Sequence, residues 1–383
     1  MIRVLHLRSS AGFYGAERVL VTLLKKLPAA GVHPVLVTIE NYLNGNRDLL
    51  NCAREQGSLA FEIPCGSRWS FGTLKCLIAI AREHGVGCIH THDYKSHVYG
   101  LLAARTLKVP VAATLHGWIS NTINLRVYQR VEQLALRQFC VVVTVTAAMS
   151  ERMRARGVSR ARLRTIENGV DTDIFGPKCL GFGRAHWGLS SDHFVFGTVA
   201  RLSAEKGQRH AIEALAPILE RHPRAHLMLV GEGADRGILQ ARARELGIED
   251  HVIFTGKHSQ VQRVLHDIDC YLSPSLTEGM PMILLEAMAS GVPVIATDVG
   301  AVGTMLAGGG GILVPARDVA ALSHAMTTIL DKKIDTVATA SLARQRCVDI
   351  YSAARQAGAY SDVYKALHRL VLKEYRKRVA IEV

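Results

Sequence analysis

The chain has 383 residues, room for two or three domains at roughly 150 residues each, every one large enough for its own core. Hydrophobic residues make up 49% and charged residues 21%, with 33 Gly and 11 Pro, which excludes a disordered or collagen-like chain. The net charge of +13 is lopsided. Residues 1–170 hold 22 Lys and Arg against 10 Asp and Glu, residues 171–354 hold 17 against 20, and residues 355–383 hold 7 against 3. Such a field implies an anionic partner, either nucleic acid or an acidic membrane surface. The longest apolar run, Cys140 to Met149, is strand-sized. It is far short of the about 20 residues of a bilayer span, and MIRVLHLRSS is no signal peptide, so a soluble protein folding from its first residue is expected. Eight scattered cysteines have no C-x-x-C spacing and read as buried small hydrophobes in a reducing compartment.

In chain order, IRVLHL (2–7) reads as a strand. A loop with Gly12 and Gly15 follows, then a helix from about Ala16 with Val19, Leu20, Leu23, Leu24 and Leu27 on one face. Further strands are 34–39, 59–63, 87–91, 110–115 and 140–145, separated by helical stretches. The turn-rich NGVDTDIFGPK from Asn168 reads as a linker. The pattern then restarts, with strands at 194–199, 226–231, 251–256, 270–274 and 293–297 and helices at 207–221 and 235–246. A last helix from about Ser361 carries Val363, Leu367, Leu370 and Val371 on one face. Near-continuous apolar strands alternating with helices imply parallel sheets covered on both faces. The fold class is α/β: two doubly wound Rossmann-like domains facing across a cleft, with ligands at the carboxyl ends of the strands. The expected domains are 1–167 with the returning helix 361–383, and 168–360.

Two segments carry the chemistry. In EGMPMILLE, Pro281 suits the first turn of a helix, so Glu278 precedes the helix and Glu286 lies inside it. At ~1.5 Å per residue the carboxylates are on the order of 10 Å apart, too far for a glycosidase pair but suited to gripping two ends of an extended ligand. The amides from Gly279 through Met280 to Met282 offer an anion site between them. In RLSAEKG, Arg201 and Lys206 follow a strand and open a helix, where two cations neutralise a diphosphate without a metal.

Together, E-G-x-P-x-x-x-x-E at 278–286, R-L-x-x-E-K-G at 201–207 and N-G-V-D at 168–171 resemble glycosyltransferase family 4, retaining enzymes of the GT-B fold. The resemblance extends from Gly15-Ala16-Glu17-Arg18 through Leu115-His116-Gly117 to GGGGILVP at 308–315. It implies that Arg201 and Lys206 hold the donor diphosphate and Glu286 the ribose. It places Glu278 and the segment Gly279, Met280, Pro281, Met282 at the sugar and distal phosphate, with His116 over the sugar. Gly15 would let backbone approach the phosphates. Tyr14, where the family often has glycine, and Glu17 would lie on the acceptor side. Glu167 replaces the family's usual proline, and Gly300-Ala301-Val302-Gly303-Thr304 lacks the family's carboxylate.

The implied function is transfer of a sugar from a UDP- or GDP-type donor to an acceptor hydroxyl, in bacterial-type cell-surface polysaccharide or glycolipid assembly. No cofactor and no metal are expected. The alternatives are an epimerase or glycogen-type synthase on the same fold, or a silent nucleotide-sugar-binding partner in a glycan-assembly complex. GEGADRG at 231–237 imitates a dinucleotide fingerprint but follows the second strand of its domain. Asp171–Asp173 imitates a metal-binding D-x-D in a turn-rich linker. His90 and His92, with His97 nearby, read as polar crevice lining rather than zinc ligands. The arginines at 152–164, with Lys373, Arg376, Lys377 and Arg378, divide between a solvated face and an acidic membrane surface that would present a lipid-linked acceptor. Nucleic acid is disfavoured because no aromatic platform accompanies them. The expected location is cytoplasmic, with peripheral attachment to the inner face of the membrane as the second reading.

Overall fold

The computed structural model describes residues 2–9, 12–39, 47–65, 69–116, 132–177 and 180–379, with side chains as far as 370. Gly117, Cys179 and the side chains of Lys373, Arg376, Lys377 and Arg378 lie outside the described residues. The chain divides into two compact units, Met1–Gly169 with Ala353–Val383, and Val170–Ser352.

The first unit is a seven-stranded parallel sheet: β1 (Ile2–Arg8), β2 (Val32–Ile39), β3 (Leu59–Ile63), β4 (Cys88–Thr91), β5 (Val111–Leu115), β6 (Val141–Thr144) and β7 (Leu163–Thr165), in the order β3-β2-β1-β4-β5-β6-β7. The second is a six-stranded parallel sheet: β8 (Phe194–Val199), β9 (Ala225–Val230), β10 (Val252–Gly256), β11 (Cys270–Ser273), β12 (Val294–Thr297) and β13 (Ile312–Val314), in the order β10-β9-β8-β11-β12-β13. All eleven expected strands are present. The additional β7 and β13 have three residues each, too few to show a period.

Side chains alternate across β1. Leu5 and Leu7 pack with Leu77, Tyr99 and Ala103 on one face, while Val4 packs with Leu23, Leu27, Tyr360 and Tyr364 on the other. The two tyrosines belong to the last helix, Ala353–Val379, which begins eight residues before the expected start and rejoins the first unit. Its packed face is Ala357, Tyr360, Tyr364 and Leu367, and the expected Leu370 is 60% exposed. The expected helix over 207–221 is interrupted: Gln208–Leu215 gives way to a 3₁₀ turn, Ala216–Ile218, because Pro217 lacks the N–H an α-helix needs. Cys65, Cys88, Cys270 and Cys347 are buried as expected, but Cys76 and Cys140 are exposed, and all the described cysteines are free thiols.

The chain passes between the units at two adjacent places. Val170 forms an isolated parallel bridge with Ser352, and its N–H donates to the Tyr351 carbonyl at 2.8 Å. Among the described residues, no helix is long and apolar enough to cross a membrane.

Candidate active site

In each sheet the strand order reverses once, between β1 and β4 and between β8 and β11, and the connections part there to open a crevice at the carboxyl ends of the strands. The expected donor residues gather at the second of these. Arg201 follows β8, and its guanidinium pairs with Glu205. Lys206 donates to Glu278 Oε1 at 2.6 Å, and the Ser275 hydroxyl donates to the same oxygen at 2.7 Å. Glu286 is buried, at 2% exposure, inside the helix Met282–Ser290. Both glutamates act on Tyr271: burial raises its phenol pKa most, and the two nearby negative charges add to it. Pro281 is the residue before that helix, with extended backbone, rather than part of its first turn. It has no N–H and no side chain caps the helix, so the anion-binding amides begin at Met282.

Two glycine clusters hold this chemistry in place. The dinucleotide-like glycines carry the backbone of the Arg201 loop: a Cβ on Gly231 would lie 2.0 Å from the Ala200 carbonyl, and one on Gly233 2.1 Å from the Leu202 carbonyl. Leu202 N–H donates to the Glu232 carbonyl at 2.9 Å, closing the contact. The segment at Gly300, which lacks the family's carboxylate, braces the Glu278 turn with backbone instead. Ala301 N–H donates to the Gly279 carbonyl at 2.9 Å, and a Cβ on Gly300, whose φ is 60°, would meet the Glu278 carbonyl at 2.1 Å.

In the first unit, Gly15 is exposed and opens the helix Gly15–Lys26, and Tyr14 is 63% exposed. Glu17, expected on the acceptor side, is instead buried at 2% exposure. It accepts from Arg8 at 2.6 and 2.8 Å and from the Tyr14 N–H at 3.0 Å, and Arg8 also donates to the His92 carbonyl at 2.7 Å. Glu17 therefore fastens the glycine loop to the ends of β1 and β4.

His116, one residue past β5, ends a line of imidazoles. His6 Nδ1 lies 3.1 Å from His92 Nε2, and His92 Nδ1 lies 3.1 Å from His116 Nε2. Beside this line, His90 contacts the Tyr364 hydroxyl through Nδ1 and the Thr114 hydroxyl through Nε2, the latter at 2.8 Å; Thr114 in turn meets the Tyr360 hydroxyl at 2.9 Å. Burial holds all four histidines far below the usual range, His6 and His116 at about 3. The Arg8 cation adds to this at His92 and His116. The rings are neutral.

The ring nitrogens of His6, His90 and His92 come within 4.8 Å of one another, the one such cluster among the described residues. Both nitrogens of His90 and both of His92 are already engaged, so a cation there would have to break several of these bonds. His97 contacts the Thr91 hydroxyl at 2.7 Å and Glu132 at 3.4 Å. Asp171 Oδ1 accepts from the Asp173 N–H at 3.2 Å, a local turn.

Two family models match consecutive stretches of the chain, Glycosyltransferase Family 4 over residues 13–174 and Glycosyl transferases group 1 over residues 183–346. The chain is a family 4 glycosyltransferase. It is similar to glycogen synthase of Mycobacterium tuberculosis, 28% identical over 298 residues, covering 73% of this chain and 69% of that one. It is also similar to UDP-Gal:alpha-D-GlcNAc-diphosphoundecaprenol alpha-1,3-galactosyltransferase of Escherichia coli, 24% identical over 325 residues, covering 80% and 83%. The crystal structure of Anabaena HepE in complex with UDP superposes with a TM-score of 0.82 at 21% identity over 95% of this chain and all of that one, which places the glycosyltransferase in the GT-B fold.

Arg8, His6, Tyr360 and Tyr364 join these contacts with no sequence motif to mark them. A signal for one of them is present: His6 interrupts the apolar run from Val4 to Leu7, and its register partner is His90.

Two outcomes follow for the glycosyltransferase. Gly233→Ala should displace the Arg201 loop and lower turnover by about 10²-fold, since a shift of about 1 Å near the chemistry costs that much. The substitution touches no ligand, so steady-state kinetics on a variant with a near-normal melting point checks it. The neutral histidines should make the fold acid-labile. Their folded pKa values lie below the unfolded value of about 6.5, so their stabilising contribution is complete above about pH 6.5 and is lost as the pH falls toward about 3, because the unfolded chain takes up protons the folded one refuses. At roughly 1.4 kcal/mol per pH unit, His6 alone costs about 2 kcal/mol between about pH 6.5 and 5. Urea unfolding across that range should show the loss; a flat profile would contradict the neutral cluster.

Proposed function

We propose that this glycosyltransferase moves a hexose-type sugar, with retention, from a UDP- or GDP-type donor to an acceptor hydroxyl on a glycan or lipid-linked glycan, in bacterial-type cell-surface polysaccharide or glycolipid assembly. The observation that carries the reading is the Lys206–Glu278 pair in the β8/β11 crevice, next to an uncapped helix start. Lys206 and Arg201 are each neutralised by a carboxylate at rest. An arriving diphosphate replaces those carboxylates as the partner of the cations and frees Glu278 to accept from a sugar hydroxyl. Negative charge then develops on the leaving diphosphate within reach of both cations and the amides at Met282, which is where preorganised donors lower a barrier. These groups take the part a divalent ion plays in metal-dependent transferases, so no metal is required. Glu286, inside the helix, receives the ribose hydroxyls. The relatives support the donor class: HepE was solved with UDP and with UDP-glucose, and the Escherichia coli relative is named for UDP-Gal and a diphosphoundecaprenol-linked acceptor.

A glucan acceptor is the second reading, favoured by the glycogen synthase likeness over 73% of the chain. The acceptor would approach the basic first unit. Arg152, Arg154, Arg160, Arg162 and Arg164 are exposed there, whereas Arg156 is half-buried. We assign these exposed cations to an anionic membrane surface on the cytoplasmic side, each worth ~1 kcal/mol against an acidic leaflet.

A mass-spectrometric screen of UDP- and GDP-sugars against membrane-lipid extract and glucan tests the reading, with turnover expected to survive excess EDTA. Turnover of a donor without any acceptor would instead indicate an epimerase. In the same assay, Glu286→Ala should weaken free nucleotide diphosphate binding by the ~1.5–3 kcal/mol of a hydrogen bond to a charged group, while Glu278→Ala should spare that affinity and lower turnover. Equal calorimetric losses would mean the two ends of the donor are assigned wrongly. Cosedimentation should show binding to anionic vesicles, none to neutral ones, and release as salt shortens the Debye length. Reversing Arg152, Arg160 and Arg164 to Glu should abolish that binding and leave turnover on a water-soluble acceptor intact.

A further inference from the structure

We propose that Cys65 and Lys95 form an oxidant-responsive pair, which hydrogen peroxide converts into a sulfur–nitrogen bond between the two side chains. Cys65 follows β3, the edge strand of the first sheet, and is 1% exposed. Lys95 is the second residue of the helix Tyr94–Leu107. Its Nζ donates to Cys65 Sγ at 3.1 Å, and among the described residues that sulfur is its one acceptor. A lysine only 9% exposed ordinarily pairs with a carboxylate; here a thiol takes that place. A buried ammonium needs an anion, and the thiolate is the group positioned to supply one.

The surroundings fix this geometry. The Asp93 carboxylate accepts from the Lys95 and Ser96 N–H groups at 3.0 Å each, which sets the start of the helix and the root of the Lys95 side chain. The Tyr99 hydroxyl lies 4.0 Å from the Cys65 sulfur and accepts from the Ser70 N–H at 2.7 Å. Burial pushes the Cys65 thiol up, but hydrogen bonds with Thr73 and Lys95 and the Lys95 charge outweigh it and bring the thiol below its usual value. Burial raises the Tyr99 phenol, so that hydroxyl stays protonated and is no competing nucleophile. The pair lies close under the surface, because the Trp69 ring packed 5.4 Å from the Tyr99 ring is 42% exposed. That depth suits an oxidant the size of water and shuts out a bulky thiol.

The conversion takes two steps. The Cys65 thiolate attacks one peroxide oxygen, the O–O bond breaks, and the Lys95 ammonium gives a proton to the departing hydroxide. The products are a sulfenic acid, water and a neutral amine. The amine lone pair then attacks the sulfur, the S–N bond forms, and the sulfenic hydroxyl leaves with the amine proton as a second water. Sulfur is oxidised by two electrons, and one peroxide is reduced to two waters. Lys95 thus serves first as acid and then as nucleophile. A well-oriented neighbour acts at an effective concentration of ~10⁵ M or more, so capture by Lys95 precedes attack by a second peroxide. None of these groups belongs to the donor crevice of the second unit.

Peptide mass spectrometry of the full-length protein after millimolar hydrogen peroxide tests the pair without reference to turnover. The peptides that contain Cys65 and Lys95 should appear joined, lighter than their sum by two hydrogens, and should separate again with dithiothreitol. Cys65→Ser should lose the joined peptide. Lys95→Arg keeps the positive charge but is no nucleophile, so at a near-normal melting point it should also lose the joined peptide. Its Cys65 should instead remain as a sulfenic acid that dimedone labels, or pass on to the sulfinic acid. Cys65 left reduced while the exposed Cys76 and Cys140 are oxidised would overturn the proposal. So would a Cys65 sulfinic acid beside unmodified Lys95 in the unsubstituted protein, a disulfide at Cys65, or a joined peptide that persists in Lys95→Arg.

Discussion

Successive crossover helices in a doubly wound sheet must leave by opposite faces where the strand order reverses, and this constraint governs both halves of the molecule. The reversal falls between β1 and β4 in one sheet and between β8 and β11 in the other. Loops that would otherwise pack together are pulled apart there, and polar side chains can occupy the gap without being sealed by a neighbouring crossover. The loops that carry the chemistry leave the sheets at these points or one strand further on: Arg8 and His92 at the first, Arg201 and the Ser275–Glu278 segment at the second, with His116 and Gly300 after the next strand.

The two crevices use that gap in different ways. The second unit arranges charge: two cations, two carboxylates and a helix start, all at or near the surface of the crevice and able to exchange partners. The first unit arranges neutrality. Its imidazoles are kept uncharged by burial and by the Arg8 cation, and Arg8 is itself held by buried Glu17. Charge in the first crevice is thus used to hold loops and to suppress protonation, while charge in the second is available to a ligand.

Much of this was legible in the sequence, for physical reasons. Strands buried on both faces are apolar runs bounded by turn formers, so all but the three-residue β7 and β13 could be read. The motifs around Arg201 and Glu278 could be read because a strand end, a cation and a helix start fall within a few consecutive residues. The last helix begins earlier than its pattern suggests because its first turns, AARQAGAY, present Ala353 and Ala357 to the packing face, and alanines give little hydrophobic period. The glycines at 231 and 233, disfavoured as a dinucleotide fingerprint by their place after the second strand, serve backbone packing, since a glycine reports close approach without saying of what. The imidazole line was hidden because its bonds join residues 86 and 24 apart in the chain. Only the alternation in β1 placed His6 on the same face as Val4.

The return of the last helix also governs the order in which the molecule can be completed. Tyr364 and Tyr360 reach partners 274 and 246 residues earlier in the chain, with the whole of the second unit synthesised in between. During synthesis the second unit can fold once Ser352 emerges, but the part of the first sheet that Tyr360 and Tyr364 cover stays open. Until the tyrosines arrive, His6 and His90, the imidazoles they pack against, lie open to water and can take up protons. Covering that part expels those protons, so the final step of folding releases acid and should slow as the surrounding pH falls.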